Sequence, residues 1–156
     1  MITVDDILRE KRHSRIITVR MNETVATAAL IMKRENISSV VVKDVCRTEG
    51  NTVVGVFSER DVTRALVDFG ANAVAMPVAS FIKRTLTSCA LSDSIGTVLR
   101  LMNEHEVRHL PVLAEHGLVG VISATDLIRH YLHEEEADVP SGHAAAGAGV
   151  VLSALR

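Results

Sequence analysis

At 156 residues the chain is long enough for one ordinary domain or two very small ones that share a core. Apolar residues make up 47% of it, yet Trp is absent, Tyr occurs once and Phe three times, so the core has to be aliphatic and stacking platforms for single-stranded nucleic acid are scarce. Its 17 basic and 19 acidic residues are interspersed to a net charge of −2, which offers a polyanion no basic footprint; no nucleic-acid partner is expected.

The N-terminal stretch Met1 to Asp6 lacks the basic start and apolar run of a signal peptide, and no segment approaches the length of a membrane span. A soluble, cytoplasmic protein with no membrane partner is the expectation. Cys46 and Cys89 stand alone, without metal-type spacing, so free thiols and no metal site are expected. Val4 to Lys11 reads as a short N-terminal helix.

A shift of 70 residues then superimposes the chain on itself. Ile16-Ile17-Thr18-Val19 and Leu86-Thr87-Ser88-Cys89 each read as a short leading strand. Val25, Ala28, Ala29 and Met32 follow the i, i+3, i+4, i+7 spacing of a buried helical stripe, which Ile95, Val98, Leu99 and Met102 repeat. Asn22 and Ser92 are N-cap types, each followed by an acid suited to the positive end of a helix. The strand Ile37 to Val42 falls on Val107 to Val112, where Pro111 predicts a sheet edge or a strand start. A second strand and helix follow at a shift of 65, so the first hairpin holds five extra residues around Arg47 to Asn51.

The fold class expected is therefore α+β: two β-α-β-β-α repeats packed with pseudo-twofold symmetry, each too small to bury a core alone. The expected boundaries are 1–70 for the first repeat with its N-terminal helix, 71–78 for a linker, 79–134 for the second repeat and 135–156 for an Ala/Gly-rich tail.

His105-Glu106-Val107-Arg108-His109 matches HExxH, in which one helical face presents two zinc ligands. The repeat ends that helix near Glu106 and puts His109 in an extended segment before Leu110-Pro111, so the pattern is set aside. His130 and His133 are read as lying on a solvated helix face. No phosphate-cradling loop, dinucleotide fingerprint or nucleophile elbow is present.

What recurs is Gly-x-x-Ser-x-x-Asp at the passage from strand to helix, at Gly55 to Asp61 and at Gly120 to Asp126. One reading is a capping box, with Ser58 or Ser123 capping the helix and the acid reaching back. The other is a ligand site, where free N–H groups meet an anion and a carboxylate grips vicinal ribose hydroxyls.

With the strand and helix order and the Val-Arg-His-Leu-Pro-Val run, the two motifs in tandem resemble the cystathionine-β-synthase (CBS) domain family over residues 4 to 133, in its stand-alone bacterial form. The resemblance implies a CBS pair that binds adenosine ligands, AMP, ADP, ATP, NAD or S-adenosylmethionine, with no resident cofactor and no catalysis. It implies a regulator that senses energy or redox state, a homodimer acting on an effector protein in trans. A structural homodimer with vestigial clefts and a small nucleotide-processing enzyme are the alternatives.

In related pairs the ligand held by the acid of one repeat is completed by the leading strands of the other. By that rule Ser58 and Asp61 share a first cleft with Lys83, Arg84, Thr87, Val107, Arg108 and His109. Ser123 and Asp126 share a second with Arg15, Thr18, Ile37, Ser38 and Ser39. The first, with up to three fixed cations and a titratable imidazole aimed at phosphate, should prefer the more highly phosphorylated ligand, and the second a nucleoside-like or singly charged one or none.

Overall fold

The computed structural model describes residues 1–11, 15–46, 50–83, 85–115 and 117–138. The N-terminal helix α1 spans Val4–Glu10. The first repeat then runs β1 (Thr18–Arg20), α2 (Val25–Glu35), β2 (Ser39–Cys46), β3 (Gly50–Ser58) and α3 (Glu59–Phe69). Two short 3₁₀ turns, Gly70–Ala75 and Val78–Ser80, lead to the second: β4 (Cys89–Ala90), α4 (Ile95–Glu104), β5 (His109–Ala114), β6 (Gly117–Ser123) and α5 (Ala124–Asp138). The α+β class and the repeat order are as expected.

Each repeat forms a three-stranded sheet, in the orders β1-β2-β3 and β4-β5-β6, with the leading strand parallel and the hairpin antiparallel. The match extends to irregularities. Both hairpins carry a bulge at the same place, after Val42 and after Val112, and bulges of this kind bend and twist a strand locally. Both first helices end on a residue in left-handed conformation, Asn36 and Glu106, each at φ 52°, with a bond from Ile37 N–H to Met32 O or Val107 N–H to Met102 O. Asn tolerates that conformation; Glu does so at a cost.

The stripes are largely buried as read: Val25, Ala28 and Met32 face one core, and Ile95, Val98 and Met102 the other. Leu99 instead is exposed. The caps differ from the expectation, because Thr24 and Ser94, two residues further on, accept the bonds from Thr27 N–H and Thr97 N–H.

Pro111 is a second correction. It lies inside β5, the central strand, rather than at an edge or start. In the first repeat Val41 donates its N–H to Ile17 O at 3.1 Å, and the matching bond from residue 111 to residue 87 has no donor. The leading strand β4 accordingly begins only at Cys89, opposite Val112, beyond the position where the proton is missing.

The segments flanking the repeats are exchanged. Val4 and Ile7 of α1 are buried in the second core, and Val4 N–H and Asp5 N–H bond Asp93 O and Leu91 O. Val78, Phe81 and Ile82 pack on the first core, and Val78 N–H and Ala79 N–H bond Glu23 O and Met21 O. The N-terminal helix grouped with the first repeat in the sequence thus contacts the second, and the stretch after Pro77 completes the first. This is a further repeat of the chain, pairing Val4 with Val78 and Leu8 with Ile82.

Candidate ligand-binding site

A cavity of about 420 Å³ opens between the N-terminus of α3, the segment after Ile82 and the lead into β5. That is within the size range of small-molecule sites. Ser58, Asp61, Lys83, Thr87, Val107, Arg108 and His109 all line it, which brings together the described members of the first expected cleft. Arg84 lies outside the described residues.

Ser58 caps α3. Its N–H donates to Asp61 Oδ2 at 2.8 Å, and Asp61 N–H returns a bond to Ser58 Oγ at 3.4 Å, so the capping-box reading holds geometrically. The box engages one carboxylate oxygen and leaves the other, Oδ1, 3.9 Å from the half-exposed Arg64 guanidinium. The Asp61 side chain is 23% exposed and lines the cavity, so capping and ligand contact are compatible.

Lys83 Nζ bonds the His105 carbonyl at 2.8 Å, at the end of α4, which fixes a cation at the cavity rim. Arg108 is exposed there. Among the described lining residues, Arg60, Arg64, Lys83 and Arg108 face Glu59, Asp61 and Glu106, four fixed cations against three carboxylates. Arg60, Arg64 and Thr85 are lining residues that the sequence reading missed. The two arginines gave no signal beyond their nearness to Asp61, whereas Thr85 could have been found by extending the repeat through Val4 and Val78. Val56, Phe81, Leu86 and Ile128 add apolar wall.

His109 lines the cavity with its imidazole engaged by the first repeat. Its Nε2 lies 2.9 Å from Ser38 Oγ, and burial pushes its pKa down; Asp126 and Asp61 pull it up, and Lys11 and Arg108 push it further down. The ring is a neutral hydrogen-bonding partner at pH 7.

The second set does not assemble as expected. Ser38 and Ser123 line the first cavity instead. Arg15 turns to Glu35, at 3.4 Å, Thr18 pairs with Val41 along β1, and Ser39 pairs with Ser58 across the hairpin. Ile37 borders a shallower groove between α2 and α3, shared with Ser38, Lys33 and Asn36. Asp126 is buried, bonded by Ser123 N–H at 2.8 Å and by Lys11 Nζ at 2.9 Å.

The HExxH residues are split as anticipated, with His105 just past α4, Glu106 left-handed and His109 in β5. His130 corrects another reading: it is buried rather than solvated, its Nδ1 3.0 Å from Glu10. Burial pushes the Cys89 thiol up to about 12, with Asp93 adding to the shift, so this sulfur is protonated and a poor nucleophile.

The sequence model of the CBS domain matches residues 4–68 and 78–133, most of the chain. The chain belongs to the CBS-domain family. It is 31% identical over 120 residues to an uncharacterized 17.7 kDa protein of Acidianus ambivalens, covering 76% of this chain and 69% of that one. Among solved structures, a putative signal-transduction protein with CBS domains from Burkholderia ambifaria is 29% identical, covers 86% of this chain and 96% of its own, and superimposes with a TM-score of 0.75. The CBS domain pair of protein MJ0100, solved with 5′-methylthioadenosine and S-adenosyl-L-methionine, shares the fold at 21% identity and a TM-score of 0.69, covering 86% of this chain and 98% of its own. Exchange of the flanking segments puts each CBS domain's leading residues against the core of the other, and the cavity lies where the two CBS domains meet.

Proposed function

We propose that the chain is a regulatory CBS pair that binds an adenine nucleotide in the cavity beside Asp61 and passes its occupancy to an effector protein in trans. The observation that carries this is one cavity in which a partly free carboxylate, an apolar wall and an excess of cations converge. Asp61 suits vicinal ribose hydroxyls, Val56, Phe81 and Leu86 suit a purine face, and Lys83, Arg108, Arg60 and Arg64 suit phosphate. The MJ0100 pair, of the same fold, was solved with two adenosine compounds.

We read the role as one without catalysis: burial lowers the pKa of the imidazole on Ser38, and among the described lining residues no activated nucleophile stands beside it. No described helix is long and apolar enough to cross a membrane, and we place the protein in the cytoplasm. Leu66, Val67 and Phe69 on α3 and Ile128, Tyr131 and Leu132 on α5 are exposed, which supports a homodimer through the helical faces.

Mass spectrometry of the small molecules released from freshly purified, denatured protein tests the reading. An adenosine compound in near-stoichiometric amount is the expected result. Absence of any, with no thermal shift from AMP, ATP, NAD or S-adenosylmethionine, favours vestigial clefts, and turnover of ATP or NAD favours an enzyme.

A further inference from the structure

We propose that the second cleft is closed by the chain's own Lys11, so that each chain takes up one adenosine ligand, beside Asp61; this rests on the function proposed above. Lys11 Nζ lies 2.9 Å from Asp126 Oδ2 and donates to the Val121 carbonyl at 3.2 Å. The same carboxylate oxygen accepts the Ser123 N–H at 2.8 Å, as Asp61 Oδ2 accepts that of Ser58. The capping oxygen of Asp126 thus carries an ammonium that its counterpart in Asp61 lacks, while Oδ1 lies 3.8 Å from Arg129 as that of Asp61 lies 3.9 Å from Arg64, so the acid that would grip a ligand's hydroxyls is already paired to the chain's own cation.

One of the matched positions at which the two repeats differ is that of Lys11. The pairing of Val4 with Val78 and of Leu8 with Ile82 puts Lys11 opposite Thr85. In the first cleft that position is a neutral threonine on the cavity wall. In the second it is a cation paired to the acid. Exposure follows: the Asp61 side chain is 23% accessible and that of Asp126 7%.

The adjoining glycines show the same asymmetry. A Cβ built on Gly55 would stand 3.3 Å from Ile82, whereas one on Gly120 would stand 2.8 Å from Leu8, so Leu8 is pressed closer to the strand in the second cleft. Both Leu8 and Lys11 are delivered by α1, which is anchored by buried Val4 and Ile7 and by the backbone bonds to Asp93 and Leu91. Lys11 is therefore presented to Asp126 at high effective concentration, and a ligand that displaced it would have to compensate a buried carboxylate.

Equilibrium dialysis with AMP on the full chain tests this, using wild type, Asp61→Asn and Lys11→Met. The expected results are one AMP per chain for wild type, a loss of at least tenfold in affinity for Asp61→Asn, and a second AMP bound by Lys11→Met. Two AMP per wild-type chain, or a folded Lys11→Met that still binds one, would overturn the proposal. If Lys11→Met does not fold, the ammonium NMR signal of Lys11 in wild type decides: unchanged at saturating AMP supports the closure, and displaced refutes it. If wild type and Lys11→Met both fail to bind AMP and ATP, the function proposed above falls and the closure falls with it. A wild type that binds two per chain refutes the closure alone.

Discussion

Ser38 Oγ and His109 Nε2 meet at 2.9 Å, a hydrogen bond between the strand leads of the two repeats, 71 positions apart in the chain. The bond places the imidazole at the junction of the CBS domains, between the capping acids Asp61 and Asp126 that both act on it.

Stability should fall on acidification because of this ring. Burial lowers the His109 pKa in the folded state, opposed by Asp126 and Asp61 and assisted by Lys11 and Arg108. Between the folded value and the unfolded value of about 6.5 the unfolded chain binds the extra proton, so stability is fullest above about pH 6.5 and is lost as pH falls below it. Urea midpoints at pH 7.5 and 5.0 should differ less in His109→Asn than in wild type. An equal or larger drop in the variant contradicts this account of the ring.

The two capping acids should respond unequally to removal. Asp61→Ala loses a cap, about 0.5–2 kcal/mol, and weakens nucleotide binding. Asp126→Ala loses a cap and also the ion pair with the partly buried Lys11, so a larger cost of about 3 kcal/mol is expected. Melting temperatures of the ligand-free variants check the order, and a larger loss for Asp61→Ala would contradict it.

Glu106 holds a left-handed conformation that its counterpart Asn36 adopts more readily. Glu106→Asn should therefore raise stability by about 0.5–1 kcal/mol, and it also removes a carboxylate from the cavity wall. Denaturant unfolding measures the first effect and AMP affinity the second. A destabilised variant would mean that the Glu106 side chain contributes more than its backbone costs.

The repeat was legible because matched apolar spacing and the strand-to-helix motif survive in both halves, and residues such as Val25 and Ile95 fall in equivalent cores. Members of the first cleft could be gathered because the resemblance to related pairs joins the acid of one repeat to the leading strands of the other, and the repeat says which residues those are. Pro111 was misplaced because local preference sees the missing donor but not that β4 starts one residue later than its counterpart β1. The exchange of flanking segments was missed because Val4-Asp5-Asp6-Ile7-Leu8 and Val78-Ala79-Ser80-Phe81-Ile82 share only their apolar positions, at a spacing different from the rest of the repeat. The Lys11–Asp126 pair joins residues 115 positions apart, and no local pattern announces it.

A nucleotide in the cavity beside Asp61 should lie with its phosphates toward Arg108. Calorimetric titration of ATP and AMP into wild type and Arg108→Ala tests it most directly. Loss of one charge-assisted bond predicts that ATP affinity falls about 10-fold or more, and AMP affinity less. Unchanged affinities for both nucleotides in Arg108→Ala would contradict the account.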